Sequence, residues 1–226
     1  MTVDKGIEKG YALGLMDIKW LGHSCFLIKG KDKAVITDPC HPDTGYRLGE
    51  PKADIVTISH PHPGHSYTEG VADSPRLIKS AGEYEIGGTF ITGVGVFHDA
   101  NKGATLGKNT IYVVEMDDVT LCHLGDLGHP LGPQSIEEIG DVDVLFVPVG
   151  EGSTLPVEAA VELVRQLGPS IVIPMHYKTE ASTRELSSVD KFLEKMRVKE
   201  MEEKPSLSVT RSTLPAGTQV VVLVPG

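Results

Sequence analysis

The stretch ISHPHPGHSY (58–67) places three histidines, His60, His62 and His65, within six positions. Neutral imidazole is the commonest metal ligand among side chains. His60 and His62 are two apart, so in an extended loop both can aim at one ion from the same side. Pro61 and Pro63 flank His62 and stiffen that approach. Gly64 then lets the chain turn, and His65 points elsewhere. The pattern suits two neighbouring metal positions better than one. A surface loop with incidental histidines explains a lone histidine better than a trio delivered by the buried-strand pattern DIVTIS (54–59).

Further candidate ligands sit where apolar runs end. His98 follows TFITGVGVF, Asp126 follows VTLCHLG and His176 follows SIVIPM. Loops leaving one edge of a sheet can converge on a point while the strands hold them rigid.

SHPHPGH (59–65) resembles the HxHxDH signature of the metallo-β-lactamase fold superfamily. Asp38 in VITDP, His98 in VFHD, Asp126 in HLGD and His176 in IPMHY continue the likeness in order. GHSCFLI, HLGDLGHP and PMHYKT are similar to the branch that holds the phosphorylated-ascorbate lactonase and related zinc-dependent hydrolases. The resemblance implies an αββα sandwich of two mixed sheets flanked by helices, and hydrolysis by metal-activated water. It implies a first metal on His60, His62 and His98, with Asp126 bridging, and a second on His65, Asp126 and His176. Asp126 and His176 then carry the catalytic roles, on a small ester, lactone or phosphoester.

One position departs from the pattern. Where the family's signature has its aspartate, this chain has Gly64, which ligates nothing. The second position loses a charged donor, so the competing reading is a metal-binding or ligand-binding module with weak turnover or none. Asp99 and Glu69 are either replacement oxygen donors or solvated loop carboxylates. Zinc suits an imidazole-rich site, as one ion or two; manganese, iron and nickel are compatible with the same donor types.

Other side chains carry weaker expectations. Asp38, after a buried strand, reads as the partner that orients a ligating histidine, or as a turn aspartate before Pro39. His23, in a turn between apolar strands, reads as a supporting group or substrate contact at the site, or as a hydrogen-bonded structural histidine. His123 reads as a supporting or core histidine. Lys178 and His129 flank the site in sequence and would meet an anionic substrate; otherwise they are surface groups. Tyr177 would donate to a developing oxyanion, or simply pack.

The elements that position these residues follow from pattern. Strands are expected across 17–29, 34–38, 54–59, 76–79, 89–97, 110–116, 119–125, 143–149 and 170–175, with closing strands at 207–210 and 219–224. Helices are expected at 133–139, from Pro156 to Leu167, and across 184–199 with Val189, Phe192, Leu193 and Met196 on one face. The glycines of 83–95 precede no helix and mark turns and a bulge rather than a phosphate loop. Residues 1–15 are expected to be loosely ordered, before one metallo-hydrolase domain over 16–226.

Composition sets the outer limits. The chain has 226 residues, a net charge of −10 and a pI of about 5.3. No basic run offsets that charge, which disfavours nucleic acid as a partner. No apolar run approaches a membrane span. Three widely spaced cysteines, Cys25, Cys40 and Cys122, fit a reduced, cytoplasmic protein. A small-molecule substrate is the expected partner, and self-association into a homo-oligomer is left open.

Overall fold

A computed structural model describes residues 14–226; most of the expected N-terminal extension, residues 1–13, lies outside the described residues. The first half is β-rich: β1 (Met16–Gly22), β2 (Cys25–Lys29), β3 (Ala34–Thr37), β4 (Ile55–Thr57), β5 (Arg76–Ile78), β6 (Gly82–Ile86), β7 (Thr89–Phe97), β8 (Lys108–Met116) and β9 (Val119–His123). Helices then enter: α1 (Pro133–Ile139), β10 (Val144–Pro148), α2 (Val157–Leu167), β11 (Ile171–Met175) and α3 (Asp190–Lys195). Short strands close the chain: β12 (Glu203–Lys204), β13 (Leu207–Val209), β14 (Gln219–Val220) and β15 (Val222–Leu223).

These strands form two mixed sheets, ordered β13-β1-β2-β3-β4-β5 and β14-β11-β10-β9-β8-β7-β6, with β12 and β15 as a separate pair. The architecture is the expected α/β sandwich flanked by helices. Side-chain alternation explains it. In β2, Phe26 and Ile28 point into the main core with Tyr112, Leu121 and Phe146. Cys25 and Leu27 point the other way, into a smaller cluster with Ile36, Val56 and Ile58. The parallel strands β10 and β11 are buried along their whole length, so their sequences VLFVP and IVIPM read as unbroken apolar runs.

Turn chemistry follows the sequence. Asp117 and Asp118 take left-handed φ values of 50° and 62°, as a two-residue hairpin between β8 and β9 requires. α2 ends at Gly168, left-handed at φ 57°, whose N–H caps the Val164 carbonyl.

Four expectations need adjustment. Residues 17–29 contain a hairpin of their own, β1 and β2, turning at His23-Ser24. The Glu83–Ile86 stretch is part of an edge strand, β6, paired along β7. The helix expected over 184–199 shrinks to α3, because Ser187 before it is tied to other segments by Lys178 N–H to Ser187 O and Ser187 N–H to Gly150 O bonds. The run at 219–224 divides between β14, paired with β11, and β15, paired with β12.

Candidate metal centre

The strand ends deliver their residues to one place. Asp38 follows β3, His98 follows β7 and His176 follows β11; His60 and Asp126 come three residues after β4 and β9. His23 tips the turn between β1 and β2. Three of these residues are in the left-handed region: His23 at φ 54°, Asp38 at φ 37° and His176 at φ 54°. Each such residue costs about 1–2 kcal/mol, and strain of this kind gathers at functional sites. Main-chain bonds hold it in place. The His23 carbonyl accepts from Trp20 Nε1 and from His176 N–H, both at 3.0 Å.

At the centre lies one carboxylate oxygen. Asp126 Oδ2 is 3.1 Å from His65 Nε2, 3.2 Å from His176 Nε2, 3.3 Å from His98 Nε2 and 3.8 Å from His60 Nε2. All five side chains are buried. The Asp126 main chain is held in turn by Asn109, whose Oδ1 accepts the Asp126 N–H at 3.0 Å while its Nδ2 donates to the Leu124 carbonyl.

Outer hydrogen bonds fix which ring nitrogen faces inward. His65 Nδ1 donates to Asp38 Oδ2 at 2.9 Å, since an ionised carboxylate only accepts. The Ser59 hydroxyl gives its proton to Asp38, so His60 Nδ1 donates to Ser59 Oγ at 2.9 Å. His98 Nδ1 donates to the Ser153 carbonyl at 3.2 Å. The Nε2 lone pairs of these three rings therefore converge on Asp126. His60 Nε2, Asp126 Oδ1 and His176 Nδ1 are buried with no hydrogen-bond partner among the described residues. Converging ring nitrogens, with His60 Nε2 and Asp126 Oδ1 left without partners, suit a divalent cation, and the residues fit one.

Without a metal, a proton on His65 takes the place an ion would fill. Burial opposes charge on His65, but Asp126 and Asp38 outweigh it and raise its pKa to about 10. Burial works against ionised Asp126, yet His176 and His65 hold its carboxyl well below the usual range. Burial, then repulsion from His65, lowers His60 to about 3. His62, partly exposed, is lowered by burial and by His98.

Two imidazole trios flank the carboxylate. The ligand nitrogens of His60, His62 and His98 lie within 4.8 Å of one another, and so do those of His23, His65 and His176. Asp38 also lies within that distance of His60 and His65, but its two oxygens are occupied by Ser59 and His65.

A β-lactamase superfamily domain model matches residues 17–176, most of the chain. The chain belongs to the β-lactamase superfamily. Within it the chain is similar to UPF0173 metal-dependent hydrolases. One from Pelotomaculum thermopropionicum is 33% identical over 196 residues, covering 73% of this chain and 85% of the relative. One from Pyrococcus horikoshii is 30% identical over 194 residues, covering 73% and 86%. A crystal structure from Thermotoga maritima, of a candidate Zn-dependent hydrolase of the metallo-β-lactamase superfamily, is 37% identical with a TM-score of 0.77, covering 92% of this chain and 98% of that one.

The other candidate residues lie at varied distances from this centre. A cleft of about 410 Å³ opens over the histidines, and Lys178, Tyr177 and His129 are not among its lining. Lys178 Nζ is spent on the Ser182 and Arg184 carbonyls. Tyr177, adjacent to His176 but turned away from it, packs 5.0 Å from Trp20. His129 uses both ring nitrogens on the backbone of Phe97 and Pro130. The cleft wall beyond the histidines includes Leu106, Ser153, Arg184, Glu185 and Leu186. His123 donates from Nε2 to the Ser24 carbonyl at 2.9 Å, tying β9 to the β1–β2 turn, and its Nδ1 accepts the Gly125 N–H. The Asp99 carboxylate accepts N–H bonds from Asn101, Gly103, Thr105 and Leu106 and organises its own loop. Glu69 is exposed and belongs to none of the ligand groups.

Sequence reasoning missed Asn109, Ser59 and Arg184. A buried asparagine at the head of an apolar strand was the available signal for Asn109. Nothing local marks Arg184, which reaches the cleft through a long loop.

Proposed function

We propose that the chain is a metal-dependent hydrolase, with zinc as the metal, that cleaves a small ester, lactone or phosphoester. It would act in the reduced cytoplasm as a single metallo-hydrolase unit from residue 16 onward. The observation that carries the reading is Asp126 Oδ2, buried at the meeting point of four imidazoles from three separate segments.

His60, His62 and His98 would hold one ion, His65 and His176 would hold another, and Asp126 would stand between them. Bound there, the metal supplies a Lewis acid and a water acidified to about pKa 7 in the zinc case. The chain's own contribution is positional. Asp38 and Ser59 lock the His65 and His60 tautomers. Asp126 Oδ1, buried and unpartnered, would orient the attacking water. Burial of the cluster excludes bulk water on one side. On the other, Arg184 lines the cleft next to Glu185, and an anionic substituent would dock on the Arg184 side. Leu106 and Leu186 supply apolar wall. A small anionic lactone, as the likeness to the phosphorylated-ascorbate lactonase implies, fits that surface, and the cleft's volume suits a small molecule.

The test strips metal with a chelator, restores zinc, and assays lactones, phosphodiesters and aryl esters, each with and without an anionic substituent. Turnover should return with metal and favour the anionic compounds. Asp126→Asn should reduce both metal content and rate by more than about 100-fold. Equal turnover in stripped and loaded samples would end the proposal. Stoichiometric metal without turnover on any class would favour the binding-module reading that Gly64 raised.

A further inference from the structure

The second imidazole trio has a member that the ligand assignment above leaves out. His23 comes from the β1–β2 turn, His65 from the loop after β4 and His176 from the end of β11. Their ring centroids lie 4.9 Å (His23–His65), 4.2 Å (His23–His176) and 5.8 Å (His65–His176) apart. A tetrahedral ion with Zn–N bonds near 2.0–2.1 Å spaces its ligand nitrogens about 3.4 Å apart. The observed set, within 4.8 Å, closes onto an ion through small ring movements. His23 is buried and lines the cleft. No hydrogen bond among the described residues claims either of its ring nitrogens, whereas His60, His65 and His98 each have Nδ1 tied to an outer group.

The position of Gly64 explains why this seat exists. A Cβ built on Gly64 would lie 3.0 Å from His23 Nε2 and 3.2 Å from its Cδ2. A side chain at position 64 would start against the imidazole. Glycine at 64 and histidine at 23 are thus two halves of one arrangement: the residue that lacks a donor leaves room for a donor from elsewhere. The backbone fixes the exchange. His23 sits in the left-handed region, and its carbonyl is bonded directly to the N–H of His176, another member of the trio.

We infer that His23, with His65 and His176, completes a three-imidazole second metal position, in place of the carboxylate that Gly64 cannot provide. This rests on the metal-dependent reading above and deepens it. Asp126 then stands between two matched trios, His60/His62/His98 and His23/His65/His176. The ligand set carries one carboxylate and six neutral imidazoles. A site so rich in nitrogen prefers zinc, cobalt or nickel to manganese. Its surplus positive charge also suits an anionic substrate.

The experiment counts ions on the full chain by elemental analysis after chelator stripping and Co2+ or Zn2+ reloading, and follows Co2+ binding by its visible spectrum. The native protein should hold two ions. His23→Asn keeps a residue that tolerates the left-handed backbone; it should hold one ion, with the second binding step weakened by more than about 100-fold. Gly64→Val leaves His23 in the sequence but intrudes on its ring without offering a ligand, and should also hold one. His23→Asn/Gly64→Asp should regain the second ion. If either single variant holds two ions with native affinity, or the native protein holds only one, His23 is not a ligand and the hydrolase proposal still stands. If the native protein holds none, the underlying metal reading falls as well. Should His23→Asn not fold, the Gly64→Val result decides alone.

Discussion

Asp38 shows how much of this centre depends on one side chain that would touch no metal. It is fully buried, and its two oxygens accept the Ser59 N–H, the Ser59 hydroxyl and His65 Nδ1. Burial alone would favour its neutral form, but the His65 bond and nearby imidazoles keep its carboxyl ionised below the ordinary range. Asparagine tolerates the same left-handed φ, so Asp38→Asn separates backbone demand from charge. The variant loses an acceptor and turns an amide N–H toward a ring that needs to donate. Metal affinity, read by competition with a coloured chelator, should fall about 10–100-fold with folding intact; native affinity would show that Asp38 does not orient the site. The local histidine cluster was legible because its spacing lies within one loop. The pairing of His23 with Gly64 was not, because it depends on how β1 and the loop after β4 are brought together by the sheet. Lys178, Tyr177 and His129 lie outside the cleft lining for a related reason. Neighbours in sequence to a ligand leave a strand end on different sides, and backbone carbonyls and aromatic packing had the stronger claim on them.

Elements matter here mainly through their ends. Gly125 joins β9 to Asp126 at φ 57°, where a Cβ would meet Asn109 Oδ1 at 2.4 Å and Ser59 Cβ at 2.6 Å. Both neighbours belong to the site: Asn109 holds the Asp126 N–H, and Ser59 links Asp38 to His60. Gly125→Ala therefore adds backbone strain and displaces two positioning groups at once. The left-handed conformation costs about 1–2 kcal/mol, which for a chain of this size lowers the thermal midpoint by about 2–8 °C. Metal affinity should fall in the same variant. A native midpoint by calorimetry would show that the turn relaxes freely. The strands and α2 were readable from alternation, apolar runs and the Pro156 and Gly168 signals. What could not be read was division within a run. QVVVLV has one composition, yet Val221 interrupts it and its halves join different sheets, a choice made by partners distant in sequence.

For the whole molecule, the proposed metal centre acts as a clasp between the two sheets. His23, His60 and His65 hang from the β1–β5 sheet; His98, Asp126 and His176 hang from the β6–β11 sheet. Metal bound to both would stabilise the native state against every opening that separates them, by about 2.7 kcal/mol at a free metal concentration 100 times Kd. The three cysteines report on such opening. Cys25 and Cys40 lie in the smaller cluster, Cys122 in the main core, and all three are buried free thiols. Burial raises each thiol, Cys40 to about 11, so little thiolate forms at pH 8 while the fold is closed. Alkylation should be slow in the native protein, and metal should slow it further by about 100-fold under the same loading. The decisive feature is uniformity. If the clasp joins the sheets, stripping the metal accelerates Cys25, Cys40 and Cys122 together, as mass spectrometry of the three tryptic peptides would show. Acceleration confined to Cys40, the cysteine that directly follows Asp38-Pro39, would mean that metal orders only the nearby loop and leaves the sandwich to hold itself.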